Sequence, residues 1–167
     1  MNNIRNRISS LLRRVAMIEG LSGQDLSGQD WSGVDLRNVN LREAVLYRVN
    51  LQGADLTNAD LREVDLYRAK LQGANLEEAT LRGSELEGAD LTKANLKGAD
   101  LREVDLRKAN LEGANLEGAD LYRAEIKGAN LIGANLEGAN LYGVIYNSNT
   151  RLPISEDYAY RLGMLKR

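Results

Sequence analysis

The 167-residue sequence contains no cysteine, no histidine and no phenylalanine, and only one proline and one tryptophan. Without cysteine there are no disulfides and no thiolate nucleophile. Without histidine there is no imidazole metal ligand, no Ser–His or Cys–His pair and no proton shuttle that ordinarily titrates near neutrality. A cysteine-free chain fits a reducing compartment, so a cytoplasmic location is expected. Charge of either sign is nearly balanced, 22 Lys and Arg against 24 Asp and Glu. No global basic field exists to collect nucleic acid. No apolar run approaches the roughly 18–20 residues of a membrane span, and no membrane contact is expected. The opening segment MNNIRNRISSLLRRVAMIEG is interrupted by Arg13 and Arg14. It therefore makes a poor secretory signal, and its Arg-rich, acid-poor make-up resembles a transit peptide only superficially. Phosphate-cradling glycine loops, EF-hand loops and nucleophile elbows are all missing. The chain is therefore expected not to be an enzyme and to need no metal or cofactor.

What is present is a repeat. In steps of five from Leu21 through Leu26, Trp31 and Leu36 to Leu141, 25 positions hold 23 leucines plus Trp31 and Ile126. The position two residues before each, from Val34 to Val144, holds Ala, Val or, once, Ser84. Asp or Asn mostly lies between the two, and two polar residues follow the leucine, the second often glycine, as in Gly53, Gly73, Gly113 and Gly138. A helix repeats near 3.6 residues and a half-buried strand near two, so five fits neither. Each pentad instead reads as a short extended side, small–Asx–Leu, with its first and third residues inward, followed by a polar corner. Paired carboxylates recur everywhere for this reason, so no glycosidase-like pair stands out.

Longer echoes set the number of sides. LREAVLYRV starts at Leu41, LREVDLYRA at Leu61 and LREVDLRKA at Leu101, while LQGA starts at Leu51 and Leu71. These recur at multiples of 20 residues, or four pentads. Four sides and four corners suggest a square coil stacked at about the 4.8 Å strand spacing, although gene duplication alone leaves the same echo.

The units GADL, GANL and KANL, in the frame A(D/N)LXX, resemble the pentapeptide-repeat family from Leu21 to about Tyr146. The resemblance is to cyanobacterial members in particular. It implies an all-β solenoid, a right-handed quadrilateral β-helix of about six coils. The handedness is implied by the resemblance and not by the spacing.

A stacked coil leaves unpaired backbone at both ends, so N-terminal and C-terminal capping helices are expected. Residues 1–20 place Ile4, Ile8, Leu11, Leu12, Val15 and Ile18 at helical spacing, with Asn3 as N-cap and Gly20 at the C′ position. Residues 21–146 form the repeat domain. Gln24 and Gln29 fall in small-residue positions, which predicts an irregular first coil with Trp31 filling space beneath the N-terminal helix. Residues 147–167 form a C-terminal loop and a helix that starts near Ser155 after Pro153 and carries Tyr158, Leu162 and Leu165. Charge is uneven: residues 1–20 carry +3, residues 147–167 carry +2 and the repeats carry -7.

Stacking turns sequence positions into rows. Arg42, Arg62, Arg82 and Arg102 share one row, continued by Tyr122 and Tyr142. Such a row suits a phosphate or an acidic partner, but Glu43, Glu63, Glu103, Asp60 and Asp100 beside it permit local ion pairing instead. A second row sets Tyr47 over Tyr67 and Arg48 over Arg68, an interface-like mixture or plain cross-strand packing. Asn75, Asn95, Asn115 and Asn135 form a third row, read as a structural amide ladder.

The expected function is a rigid, non-enzymatic interaction module with an unknown protein partner, existing as a monomer or a weak homodimer. Two alternatives accompany it. Some family members look like B-form DNA in size and charge and occupy the DNA site of gyrase, a type II topoisomerase. Against this stand the many positive side chains on the rod, including the Arg42–Arg102 row, and the lack of phenylalanine, which those members commonly place at central positions. The other alternative is an end-to-end structural polymer, which the helical caps argue against.

Overall fold

The computed structural model describes residues 20–167. The expected helix at 1–20 lies outside the described residues, apart from Gly20. From Asp25 to Glu125 every Asx-column residue forms a parallel bridge with the residue 20 positions later: Asp25 with Val45, Asp30 with Asn50, Asp35 with Asp55, Asn40 with Asp60. The chain thus makes four short sides per layer and returns one layer higher. The sides are single-residue bridges rather than long strands, because a turn follows every leucine.

One pentad shows why the backbone closes so tightly. Leu56 N–H donates upward to the Asn75 carbonyl at 2.7 Å, and Asn58 N–H to the Glu77 carbonyl at 3.0 Å. Asp60 N–H donates downward to the Val39 carbonyl at 2.9 Å, and Ala59 N–H closes the turn on Leu56 at 2.9 Å. The remaining amide, Thr57 N–H, finds the Asp55 side chain, Oδ1, at 3.1 Å. All five amides of the unit are satisfied, which a buried solenoid backbone requires.

The third residue of each turn has positive φ, the geometry of a type II turn. Glycine suits it, and Gly53 sits there at φ 63° with open space where a Cβ would lie. Eleven such corners nevertheless carry other residues, among them Arg48, Glu63, Arg68 and Lys93. None is β-branched or aromatic, the types for which this conformation is worst.

The leucine column fills the interior. Every member is buried except Leu26 and Leu136, which are partly buried near the ends. The small column lies beside it, with Ala44, Ala74 and Ala124 fully inaccessible and Ser84 the one buried polar residue among the described residues. Ser84 Oγ donates to the Leu81 carbonyl, so the hydroxyl is satisfied. Trp31 is buried within the leucine column. The first layer is more regular than the sequence predicts. Gln24 and Gln29 are exposed, while the Asp25 and Asp30 bridges keep the 20-residue register. Turning a long side chain outward leaves the backbone ladder undisturbed.

The register slips once, after Tyr146: Asn130 bridges Arg151, 21 positions on. Thr150 Oγ1 absorbs the extra residue, donating to the Ile126 carbonyl at 3.0 Å and accepting from Gly128 N–H at 3.1 Å. Strand β1 (Ile145–Tyr146) then pairs in parallel with β2 (Leu165–Lys166). Between them lies helix α1 (Glu156–Arg161), whose N-cap Ser155 accepts from Tyr158 N–H. The C-terminal segment therefore differs from the sequence expectation. Leu165 is not helical, because the chain leaves the helix at Leu162 and Gly163, φ 82°, and rejoins the stack. Ala159 is buried and Leu162 packs against the core.

Candidate interaction surface

The four corners are lined by residues at 20-residue spacing, so each corner is an edge running along the stack. The first candidate edge carries Arg42, Arg62, Arg82 and Arg102. Each has a carboxylate. Arg42 pairs with Glu43 at 3.2 Å and Glu63 at 3.4 Å, and Arg82 pairs with Glu103 at 3.5 Å. Arg62 Nε donates to Asp60 at 2.8 Å and Arg102 Nε to Asp100 at 2.7 Å, each as one arm of a two-pronged contact. Those guanidinium bonds hold the Asp60 and Asp100 carboxyls below the usual aspartate range and raise Arg62 and Arg102. A shallow concavity of about 280 Å³ lies among Arg62, Arg82, Arg102, Thr80, Asp60 and Asp100. Its lining carries both signs of charge.

Further along this edge Tyr122 and Tyr142 stack with centroids 6.2 Å apart and planes 7° from parallel, with Arg123 5.0 Å from the Tyr122 ring. Tyr142 also lies over Gly163, where an added Cβ would approach its ring to 2.6 Å. The terminal segment and this aromatic pair therefore fix each other.

The neighbouring edge carries the second candidate group. Tyr47 and Tyr67 are half-buried and stack at 5.7 Å, only 3° from parallel. Arg48 lies 5.1 Å from the Tyr47 centroid and Arg68 5.2 Å from that of Tyr67, both within cation–π range. Among the described residues neither arginine has a carboxylate at ion-pair distance. Turn positions farther along the same edge hold Arg107, Lys108 and Lys127 against Glu87. There Glu87 pairs with Arg107 at 3.1 Å and Lys108 at 2.7 Å.

The sequence expectation of two separate rows thus becomes two adjacent edges of unlike character. It missed Lys70 and Val45, which flank the tyrosine edge in the Asx columns. Their signal was the break in the Asp/Asn pattern. The third row is an unbroken amide ladder: Asn95 Nδ2 donates to Asn75 at 2.9 Å, Asn115 to Asn95 at 3.2 Å and Asn135 to Asn115 at 3.1 Å. A second, more apolar concavity of about 530 Å³ opens beside α1 between Leu136, Leu141, Ile154, Tyr158 and Leu162. Among the described residues no acidic cluster is arranged to hold a metal ion, and no helix is long and apolar enough to cross a membrane.

Eight copies of the pentapeptide-repeats family model match, in overlapping segments from 21–58 to 119–145. Among solved structures, HetL, a pentapeptide repeat protein involved in heterocyst differentiation regulation in Nostoc sp. strain PCC 7120, is 31% identical; the match covers 84% of this chain and 73% of that one, with a TM-score of 0.44. Rfr23, a pentapeptide repeat protein of the cyanobacterium Cyanothece 51142, is 26% identical over 83% of this chain and 95% of its own, with a TM-score of 0.49. Full-length QnrB1, a plasmid-mediated fluoroquinolone resistance protein, is 15% identical over 87% of this chain and 85% of its own, with a TM-score of 0.55. At that identity QnrB1 shares the fold alone. Curated protein sequences give no significant match.

Proposed function

The chain belongs to the pentapeptide-repeat family, and on that premise we propose that it is a rigid, non-enzymatic recognition module. It is a right-handed quadrilateral β-helix that presents the Tyr47–Tyr67 edge to a protein partner in the cytoplasm. One observation carries this reading. Two stacked tyrosines are each covered by an arginine that has no carboxylate partner among the described residues. The arginines of the next edge are all occupied by their own acids. Aromatic and arginine side chains are the ones enriched at interface centres. The backbone beneath is tied to the next layer, Leu46 N–H to the Asp65 carbonyl at 2.7 Å and Arg48 N–H to the Tyr67 carbonyl at 3.0 Å, so binding would cost little ordering entropy.

In this reading the Arg42–Arg102 row is structural and α1 caps the C-terminal end of the stack. Tyr158 and Tyr160, 51% and 77% exposed, leave room for a weak homodimer at the C-terminal end. Affinity capture from native lysate tests the assignment. Tyr67→Ala should lose the captured protein and Arg62→Glu should keep it. Equal recovery by wild type and both variants would remove the tyrosine edge as the recognition surface.

A further inference from the structure

The Asx columns hold an acid or an amide at nearly every layer, and two departures from that pattern flank the tyrosine edge. On one flank Val45 stands in an Asx column otherwise filled by Asp25, Asp65, Glu85, Asp105 and Glu125 up to Ile145. On the other flank Lys70 stands between Asn50 and Asp90. Between these departures lie Tyr47, Arg48, Tyr67 and Arg68. Arg48, Arg68 and Lys70 are exposed, and none has a carboxylate at ion-pair distance among the described residues. We infer that this patch is a docking site for an acidic helical segment of a protein partner, a deepening that rests on the recognition-surface reading above.

Geometry favours a helix. Each guanidinium is held against a ring, and the rings stack in register, so the two cations sit one layer apart. One layer is about 4.8 Å. Carboxylates three or four residues apart on a helix surface are spaced by about 5–6 Å. A helix lying along the rod can therefore set successive acids against Arg48 and Arg68, with its apolar flank on the exposed edges of the tyrosine rings. Lys70, around the corner, meets a third acid on the helix side.

The extent of the patch selects against nucleic acid. Asp65 and Glu85 border it, and Glu87 closes its C-terminal side, already committed to Arg107 and Lys108. A phosphate chain continuing along the edge would run into these carboxylates, whereas a short acidic segment ends before them. The repeats as a whole are net acidic, which also repels a long polyanion.

The test is a fluorescence-anisotropy titration of the full chain against a labelled synthetic helical peptide bearing glutamates four residues apart. A labelled single-stranded oligodeoxynucleotide serves as the second probe. The expected result is saturable, salt-weakened binding of the peptide. Arg48→Glu with Arg68→Glu should weaken it by about tenfold or more, Lys70→Glu by less, and Arg62→Glu should leave it unchanged. These side chains lie outside the backbone ladder, and circular dichroism of Arg48→Ala with Arg68→Ala verifies that the fold persists. Absence of peptide binding, equal binding by the charge-reversed variant, or tighter binding of the oligonucleotide would each overturn the inference. If the peptide fails while Tyr67→Ala still loses the captured protein, the recognition surface stands and only the acidic-helix partner falls. If neither responds, both readings fall.

Discussion

In most pentads the amide that follows the leucine is the one with no carbonyl to reach, and the Asp or Asn two positions earlier supplies its acceptor. Tyr67 N–H bonds to Asp65 Oδ1 at 2.8 Å, and Glu117 N–H to Asn115 Oδ1 at 3.2 Å. Asparagine does more than aspartate. Asn115 also donates to Asn95 and accepts from Asn135, so one side chain closes a turn and ties three layers. Asn115→Ala removes all three bonds and leaves the Glu117 amide without its acceptor. It should destabilise the protein by roughly 1–3 kcal/mol. At about 2–4 °C per kcal/mol for a domain of this size, the loss is readable in thermal unfolding. Asn115→Asp should fall between the two, because it keeps the turn and loses the downward donor. The sequence displayed the preference for a short polar residue here. It did not display the reason, since the acceptor role depends on which backbone amide is orphaned, and that follows from the turn.

At the scale of an edge, the arginine row is a set of self-contained pairs. Asp60 and Asp100 are held below the ordinary aspartate range, first by their hydrogen bonds to Arg62 and Arg102. A carboxyl with a depressed folded value contributes stability above its unfolded pKa of about 3.9 and loses it as pH falls through the lower folded value. The urea midpoint of the wild type should therefore drop as the solution is acidified below about pH 4. Asp60→Asn with Asp100→Asn keeps both turn acceptors and should flatten that decline while lowering the midpoint slightly at neutral pH. An unchanged acid profile in the double variant would show that these pairs contribute nothing. The turns themselves were only half legible. Gly53 and Gly73 announce a corner, but Glu63, Arg68 and Lys93 adopt the same positive φ with no local preference for it. Only their phase in the repeat identifies them. The C-terminal helix was legible from Pro153 and Ser155. Its end was not, because Tyr158, Leu162 and Leu165 fit helical spacing and hide the stop that Gly163 makes.

For the whole molecule, the distribution of charge matters more than its sum. A surface that substitutes for DNA must be acidic along its length, yet two adjacent edges here carry Arg48, Arg68, Arg107, Lys108 and the Arg42–Arg102 row. Gyrase supercoiling should proceed at its normal rate in the presence of micromolar protein, and inhibition in a gel assay would restore the mimic reading. The described layers at either extreme also differ in kind. Amide donors point toward the N-terminus throughout the Asn ladders, while the first layer offers Asp25, Asp30 and Asp35, which have no amide hydrogens to give. The interior repeats every five residues, but the exterior repeats only every 20. Deleting a single pentad would keep each aliphatic residue facing the middle while turning everything beyond the cut by a quarter revolution. Tyr67 would then leave the company of Tyr47 although no interior contact had changed in kind. Such a scaffold can reshuffle what it displays by small steps of length, with folding indifferent to the outcome.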